Sequence, residues 1–375
     1  MKPPAIVLVT TSFPIAGDGS EAAGSFVGDL ALELARFTEV RVVCPGPTDG
    51  QETWGPGVEV FRFAAPAQAL STLKPWKPSD WRWILRVLRG GLAATRAAVA
   101  AQPRCRLFAL WALPCGDWAR RVARERGLDY SVWMLGSDVW SLGRIPVVRQ
   151  ILAHTIRQAR VAYADGYQLA DDAQRISGRA IEFLPSTRRI DSRAITPRRS
   201  QAPLRLLFLG RWHPNKGVDL LLDALALLTD EDWSRIAQVD IQGGGPMDAQ
   251  VRSQVAALAA AGRPVRAGRY LVKAEAEQAI LAADWVLLPS RIESIPVVFS
   301  DAIKLGRPLV SMPVGDLPRL LATGCGVLSE AVSADGFARA LREALRGDVQ
   351  PDPQAMRALA EQFSVENIAQ RLLAQ

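Results

Sequence analysis

Two carboxylates bracket the segment RIESIPVVFSD: Glu293 and Asp301, with seven residues between them. Burying acids is costly unless something binds them, so a pair set around an apolar, Pro-containing turn either reaches solvent or receives a ligand. Two cations stand in a second segment, LLFLGRWHPNKGVDLLLDAL. There an apolar run ends at Gly210, a loop carries Arg211 and Lys216, and a helix opens near Gly217 with Leu220, Leu221 and Leu225 on its inner face. Cations on a loop leading into a helix N-terminus suit a diphosphate, because backbone N–H groups and the helix dipole add to their charge. Gly210 lets the backbone come close. On these residues alone a solvated Arg and Lys on an ordinary loop fits as well. A third segment, VDIQGGGP, ends an apolar run in Gly243, Gly244 and Gly245, either a turn on which a base or phosphate lies or a plain strand-to-helix connection. The opening TTSFPIAGDGSEAAGSF is a Gly-rich loop without the G-x-G-x-x-G spacing of a dinucleotide fingerprint, and reads as a substrate-covering loop or a structural one.

The elements that must position these residues follow from the hydrophobic pattern. Apolar runs of four to seven residues alternate with longer helical patterns, the arrangement of parallel sheets flanked by helices. In the first half the spacing predicts strands at 5–11, 39–45, 58–63, 105–111, 129–135, 160–164 and 181–186. A helix between the first two carries Phe26, Val27, Leu30, Leu34 and Phe37. The pattern restarts with strands at 204–210, 238–243, 264–268, 284–290, 307–313 and 326–330. The restart predicts two Rossmann-like halves. The Pro-, Ser- and Arg-rich stretch ending in SRAITPRRSQAP, without hydrophobic period, joins them. Expected boundaries are a first domain over 1–190, a linker over 191–203, a second domain over 204–355, and a C-terminal helix over 356–375 packing back on the first domain. Strand-end loops of open α/β sheets bind ligands, so a cleft between the halves is the expected active site.

Composition narrows the function. The chain has 375 residues, 49% hydrophobic and 22% charged, which fits two globular domains rather than a disordered or fibrous chain. The four cysteines, Cys44, Cys105, Cys115 and Cys325, form no C-x-x-C pair and read as buried thiols. With only His154 and His213, a histidine-rich metal site is disfavoured. The acidic triplet Asp230-Glu231-Asp232 beside Trp233 reads as a solvated turn, since a cation would need further converging oxygens. AIVLVTTSF is too short to span a membrane and lacks a signal-peptide cleavage site, so a cytoplasmic location is expected. The net charge of +7 favours an anionic partner, but no nucleic-acid-binding motif accompanies it. In KPSDWRWILRVLRGGLAATRAAV, Ser79 could cap a helix with Trp81, Ile84, Leu85 and Leu88 on one face and Arg82, Arg86 and Arg89 on the other. Such a helix either packs on the first sheet or rests on an anionic membrane.

The order of GSFVGDLALEL, LWALPCGDWA, LGSDVW, GRWHPNKGVDLLLDAL, IQGGGP and IESIPVVFSDAIKLGRPLV resembles glycosyltransferase family 4, most densely from 204 to 312. The resemblance implies the GT-B fold, two Rossmann-like α/β domains facing each other across a cleft. It also implies a retaining transferase that moves a sugar from a nucleotide-diphosphate sugar to a saccharide or lipid-linked saccharide. By the same resemblance Arg211 and Lys216 match the basic pair on the donor diphosphate, and Glu293 matches the acid facing the donor sugar. Asp301 falls where a glutamate normally holds the ribose. Gly24 approaches the donor phosphates, as do Gly210, Gly243 and Gly244 on the donor side, and Asp138 lies on the acceptor side. No metal or other cofactor is expected. The chain departs from the pattern at Leu110 and Leu135, where the family often has histidine, at Asp301, one methylene shorter than Glu, and at STRRID, where an Asn-Gly turn is usual. A degenerate, non-catalytic binding module is therefore the alternative.

Overall fold

The computed structural model describes residues 3–15, 24–66, 77–192 and 197–375. The chain forms two compact units, Met1–Arg189 with Ser364–Gln375, and Ile190–Phe363.

The first unit is built on a sheet of eight strands: β1 (Ala5–Val9), β2 (Val40–Gly46), β3 (Gly50–Gly55), β4 (Val58–Ala64), β5 (Cys105–Leu110), β6 (Tyr130–Met134), β7 (Ala162–Ala164) and β8 (Glu182–Phe183). Their spatial order is β3-β4-β2-β1-β5-β6-β7-β8. All pairs are parallel except β3 with β4. All five residues of β1, AIVLV, are buried, as expected of a central strand covered on both faces. One face is covered by α1 (Ser25–Ala35) and the other by α2 (Pro78–Ala100) and α3 (Asp117–Arg126). In α1, Val27, Leu30 and Leu34 are buried as the periodicity predicts, whereas Phe37 lies beyond the helix end and is exposed. The helix α4 (Ser137–Trp140) follows β6, and α5 (Pro146–Gln158) and α6 (Tyr167–Ser177) complete the helical layers.

The second unit carries six parallel strands, β9 (Leu204–Arg211), β10 (Ile236–Gly244), β11 (Val265–Ala267), β12 (Trp285–Leu288), β13 (Leu309–Ser311) and β14 (Gly326–Leu328), in the order β11-β10-β9-β12-β13-β14. Its helices are α7 (Val218–Ala226), α8 (Asp230–Ser234), α9 (Asp248–Ala260), α10 (Lys273–Ala282), α11 (Val297–Lys304), α12 (Leu317–Leu321), α13 (Ala334–Arg346) and α14 (Pro353–Gln362). The last helix of the chain, α15 (Val365–Leu373), belongs to the first unit, where Ile368, Ala369 and Leu372 join Leu30 and Leu34 in one core.

Several expectations need correction. All thirteen expected strands form, but β3 was not expected, because GQETWG is an exposed edge strand without an apolar run. The single helix expected over 356–375 is two helices. The chain breaks where Ser364 caps α15 by accepting from the Asn367 N–H at 3.1 Å, while Phe363 stays in the second unit against Phe299. Within the expected linker, Ser192 N–H donates to Glu277 at 2.9 Å and Arg199 N–H to Asp284 at 2.7 Å, which ties that stretch to the second unit. Residues 193–196 of it lie outside the described residues. Of the acidic triplet, Asp230 and Glu231 are exposed as expected, whereas Asp232 is buried in the first turn of α8, completes a capping box with Thr229 and pairs with Arg342 at 2.9 Å. The four cysteines are buried and free.

Candidate functional site

The second sheet has a topological switch point. From β9 the chain runs outward through β10 to β11, then returns to place β12 on the other side of β9. Loops leaving the carboxyl ends of strands at such a point diverge and leave room for a ligand. The chemistry-bearing residues sit at those strand ends and on those loops.

Arg211, expected on a loop, is instead the last residue of β9; it is exposed and forms no ion pair among the described residues, and the loop after it begins at Trp212. It continues through a short turn, Pro214–Lys216, capped by His213 Nδ1 accepting from the Asn215 N–H at 3.1 Å. Gly217 then opens α7 with φ of 66°, and a Cβ there would lie 1.9 Å from the Pro289 carbonyl oxygen. Only glycine permits both the left-handed backbone and this approach. The β9 loop is thereby seated against the end of β12.

The loop after β12 supplies the acid. Lys216 Nζ pairs with Glu293 Oε1, which also accepts from Ser290 Oγ at 3.0 Å. Lys216 is 37% exposed in its side chain and Glu293 only 11%. Arg291 fixes this arrangement: its two terminal nitrogens donate to Asp219 at 2.8 and 2.7 Å, and its N–H donates to the Asn215 carbonyl at 2.8 Å. The paired guanidinium holds the Asp219 carboxyl below the usual carboxylate range, against the opposing effect of partial burial. The helical first turn of α7 and the acid loop are therefore cross-braced by a bidentate pair. From beneath, Gly315 touches the acid loop closely enough that a Cβ would stand 2.2 Å from the Glu293 carbonyl oxygen.

Arg211 at the carboxyl end of β9, and Lys216 and Glu293 on the loops after β9 and β12, thus stand at the switch point. Gly210 precedes them on β9, but its own Cβ would meet Phe208 at an ordinary 3.4 Å. At Gly243, whose backbone has φ of 153°, a Cβ would lie 1.9 Å from the Gly210 carbonyl oxygen. Gly244 carries the ring of Tyr270, whose hydroxyl donates to its carbonyl at 2.5 Å. Asp301 does not stand open for a ribose: its side chain is fully buried on α11, with Lys304 Nζ 3.8 Å away. The residues missed in the sequence are Ser290, Asp219, Gly315 and the bracing role of Arg291. A glycine between Val314 and Asp316, just past an apolar strand, was the available signal for the third.

In the first unit, Gly24 stands just before α1 and its carbonyl accepts from the N–H groups of Val27 and Gly28 at 2.9 and 3.2 Å. Most of the Gly-rich loop before it, 16–23, lies outside the described residues. Asp138 is fully buried at the start of α4 and accepts from the backbone N–H groups of Ala112, Leu135 and Val139 at 2.7, 3.3 and 3.2 Å. Burial raises its pKa to about 6, with those hydrogen bonds opposing the rise. Its carboxyl group bridges the backbone just past the ends of β5 and β6. Leu110 is buried in the core and Leu135 half-buried beside that bridge.

Solved structures establish the fold class as GT-B. The chain matches the lipopolysaccharide outer core galactosyltransferase WaaB with a TM-score of 0.70 over 98% of both chains at 16% identity. It matches the trehalose-6-phosphate synthase OtsA with a TM-score of 0.72 over 99% of this chain and 98% of that one, at 12% identity. Anabaena HepE in complex with UDP gives a TM-score of 0.68 at 16% identity, over 98% of both chains. Residues 203–347, within the second unit, match the family described as "Glycosyl transferases group 1".

Among curated relatives, the D-inositol 3-phosphate glycosyltransferase of Corynebacterium aurimucosum is 32% identical over 191 residues, 48% of this chain and 45% of that protein. The putative teichuronic acid biosynthesis glycosyltransferase TuaC of Bacillus subtilis is 24% identical over 250 residues, 63% of this chain and 60% of that protein. The match thus spans less than half the length of the inositol-phosphate relative.

Proposed function

We propose that the protein is a retaining, metal-independent glycosyltransferase that moves a sugar from a nucleotide-diphosphate sugar to a saccharide or lipid-linked saccharide, in bacterial envelope or exopolysaccharide synthesis. The observation that carries this reading is the Lys216–Glu293 pair on the two loops flanking the switch point, with an uncommitted Arg211 at the end of β9. Relatives named glycosyltransferases and a fold neighbour bound to UDP-glucose support it. In this reading Lys216 exchanges Glu293 for a donor phosphate oxygen. Glu293, released but still held by Ser290, turns to the sugar hydroxyls and positions the donor. As the glycosidic bond breaks, negative charge gathers on the diphosphate, and Arg211 and Lys216 are fixed donors aimed at it. Attack comes from the face of the leaving phosphate, which takes the acceptor's proton.

The same reading places the first unit at the cytoplasmic face of a membrane. No described helix is long and apolar enough to cross a bilayer. The helix α2 starts at Pro78, not at a Ser79 cap, and buries Val87, Gly91, Ala98 and Val99. Trp81, Leu85 and Leu88 remain 54%, 49% and 42% exposed beside the exposed Arg82, Arg86 and Arg89. The expected packing of this apolar stripe on the sheet does not occur at these three residues, which favours the anionic-surface role.

A second reading, a nucleotide-sugar-binding module without turnover, is favoured by the buried Asp301 and by leucine at positions 110 and 135. A thermal-shift panel of UDP, GDP, ADP and dTDP with their common sugars tests donor binding, since a ligand of the folded state raises apparent stability. One base class should stabilise the parent and fail to stabilise Arg211→Ala with Lys216→Ala. No shift with any donor contradicts both readings. Release of nucleoside diphosphate from the bound donor then separates enzyme from module.

A further inference from the structure

Within the first unit, a cavity of about 310 Å³ opens between α4, α5 and α6, next to the buried Asp138. Its apolar wall is Val139, Trp140, Gly143 and Ile176, and its polar lining is Arg144, Arg149, Arg175 and Asp172. The lining carries three cations and one anion, a surplus of two positive charges.

The anion is already committed. Asp172 Oδ2 accepts from Trp140 Nε1 at 2.7 Å, and Oδ1 pairs with Arg175. Trp140 is held in turn by Gly136, where a Cβ would stand 3.2 Å from the ring. Arg144 and Arg149, both exposed, form no ion pair with any described residue. Two guanidinium groups beside a pre-set indole, over an apolar floor, make a site for a planar or tetrahedral oxyanion attached to a compact apolar-faced body. Arginine forks match phosphate bidentately, and an indole face suits the C–H face of a sugar ring. The size is at the low end of small-molecule sites, that of a monosaccharide rather than a chain.

We propose that this cavity binds the phosphate of a phosphorylated sugar. Arg144 and Arg149 take the phosphate oxygens. Trp140 carries the ring, and Asp172 keeps Trp140 and Arg175 in place. A neutral sugar leaves the two arginines solvated and gains nothing from them.

Isothermal titration calorimetry on the full chain tests this with glucose 6-phosphate, glucuronate, glucose and inorganic phosphate as probes. Glucose 6-phosphate should bind, Arg144→Gln and Arg149→Gln should each weaken it by about tenfold or more, and glucose should give no heat. Trp140→Leu should weaken glucose 6-phosphate but leave inorganic phosphate unchanged. Three results overturn the proposal: glucose 6-phosphate and phosphate binding equally in every variant, glucuronate binding as tightly as glucose 6-phosphate, or Arg144 and Arg149 variants that bind like the parent. Far-ultraviolet circular dichroism confirms that each variant is folded. Nucleotide binding by the same Arg144 and Arg149 variants should match the parent. Loss of glucose 6-phosphate binding with retained nucleotide binding isolates this pocket, whereas a parent that binds glucose 6-phosphate but no nucleotide-sugar refutes the donor assignment alone.

Discussion

Replacing Glu293 by Gln should strengthen the binding of a free nucleoside diphosphate while weakening that of the intact nucleotide-sugar. Lys216 is paired with Glu293 in the structure. A phosphate that takes Lys216 must first break that pair. Because Lys216 is 37% exposed, the pair is partly screened and belongs near the upper end of surface ion pairs, ~0.5–1 kcal/mol. A charge-assisted hydrogen bond from Lys216 to phosphate contributes ~1.5–3 kcal/mol. The net loss in Lys216→Ala is then ~1–2 kcal/mol, or about 5- to 30-fold in Kd for the diphosphate. Glu293→Gln removes the competing carboxylate and leaves Lys216 free, so the diphosphate should bind about 2- to 5-fold more tightly. The sugar, having lost its charged acceptor, should bind the variant less well than the parent. Calorimetric titration of the diphosphate and the sugar nucleotide into parent, Lys216→Ala and Glu293→Gln reads all six values. If Glu293→Gln weakened the free diphosphate as much as Lys216→Ala does, the exchange of partners at Lys216 would be wrong.

Other consequences are open to direct measurement. Gly315→Ala would drive a Cβ to 2.2 Å from the Glu293 carbonyl oxygen, so donor affinity should fall at least tenfold with a smaller loss of Tm, and unchanged affinity would show the acid loop to be unsupported from below. Arg291→Ala breaks the bidentate contact to Asp219 and should cost about 1–2 kcal/mol in chemical denaturation, with donor affinity reduced less than in Lys216→Ala. Asp138 has a native pKa raised to about 6, so the native state holds a proton that the unfolded chain releases near pH 4. Its contribution is therefore fully present below about pH 4 and lost as pH rises through about 6. The Tm of Asp138→Asn relative to the parent should accordingly climb between pH 5 and 7.5, and a constant difference would contradict it. Trp81→Ala with Leu85→Ala should abolish co-sedimentation with phosphatidylglycerol vesicles without changing Tm by more than a degree or two, because both side chains are exposed.

Much of the architecture was legible because a parallel sheet covered on both faces leaves near-continuous apolar runs, as in AIVLV and WVLL. Edge strand β3 has no such run and was invisible. The positions of Arg211, Lys216 and Glu293 at or just past strand ends were readable because local pattern alone locates where an apolar strand stops. The contact that braces them, Arg291 to Asp219, joins residues 72 apart in the chain, and no local pattern encodes it. The burial of Asp301 was hidden for a related reason: the spacing from Glu293 was readable, but not which face of α11 turns toward the core. Asp138 was recognised as a polar residue of consequence, yet its partners are backbone N–H groups from two different strand ends, set by the β5–β6 pairing rather than by side-chain type. The break at Ser364 was written in the sequence as a capping serine before VENIAQRLL, a signal masked by the apolar residues on both sides.

The central claim is that a nucleotide-sugar lies at the β9–β12 switch point with its diphosphate on Arg211 and Lys216. A crystal structure with the nucleotide-sugar selected by thermal shift tests it most directly. Phosphate oxygens should lie within hydrogen-bond distance of both cations and the Lys216–Glu293 pair should be open, with Glu293 on a sugar hydroxyl. A donor bound elsewhere, or a donor at this point with Lys216 still on Glu293, would contradict it.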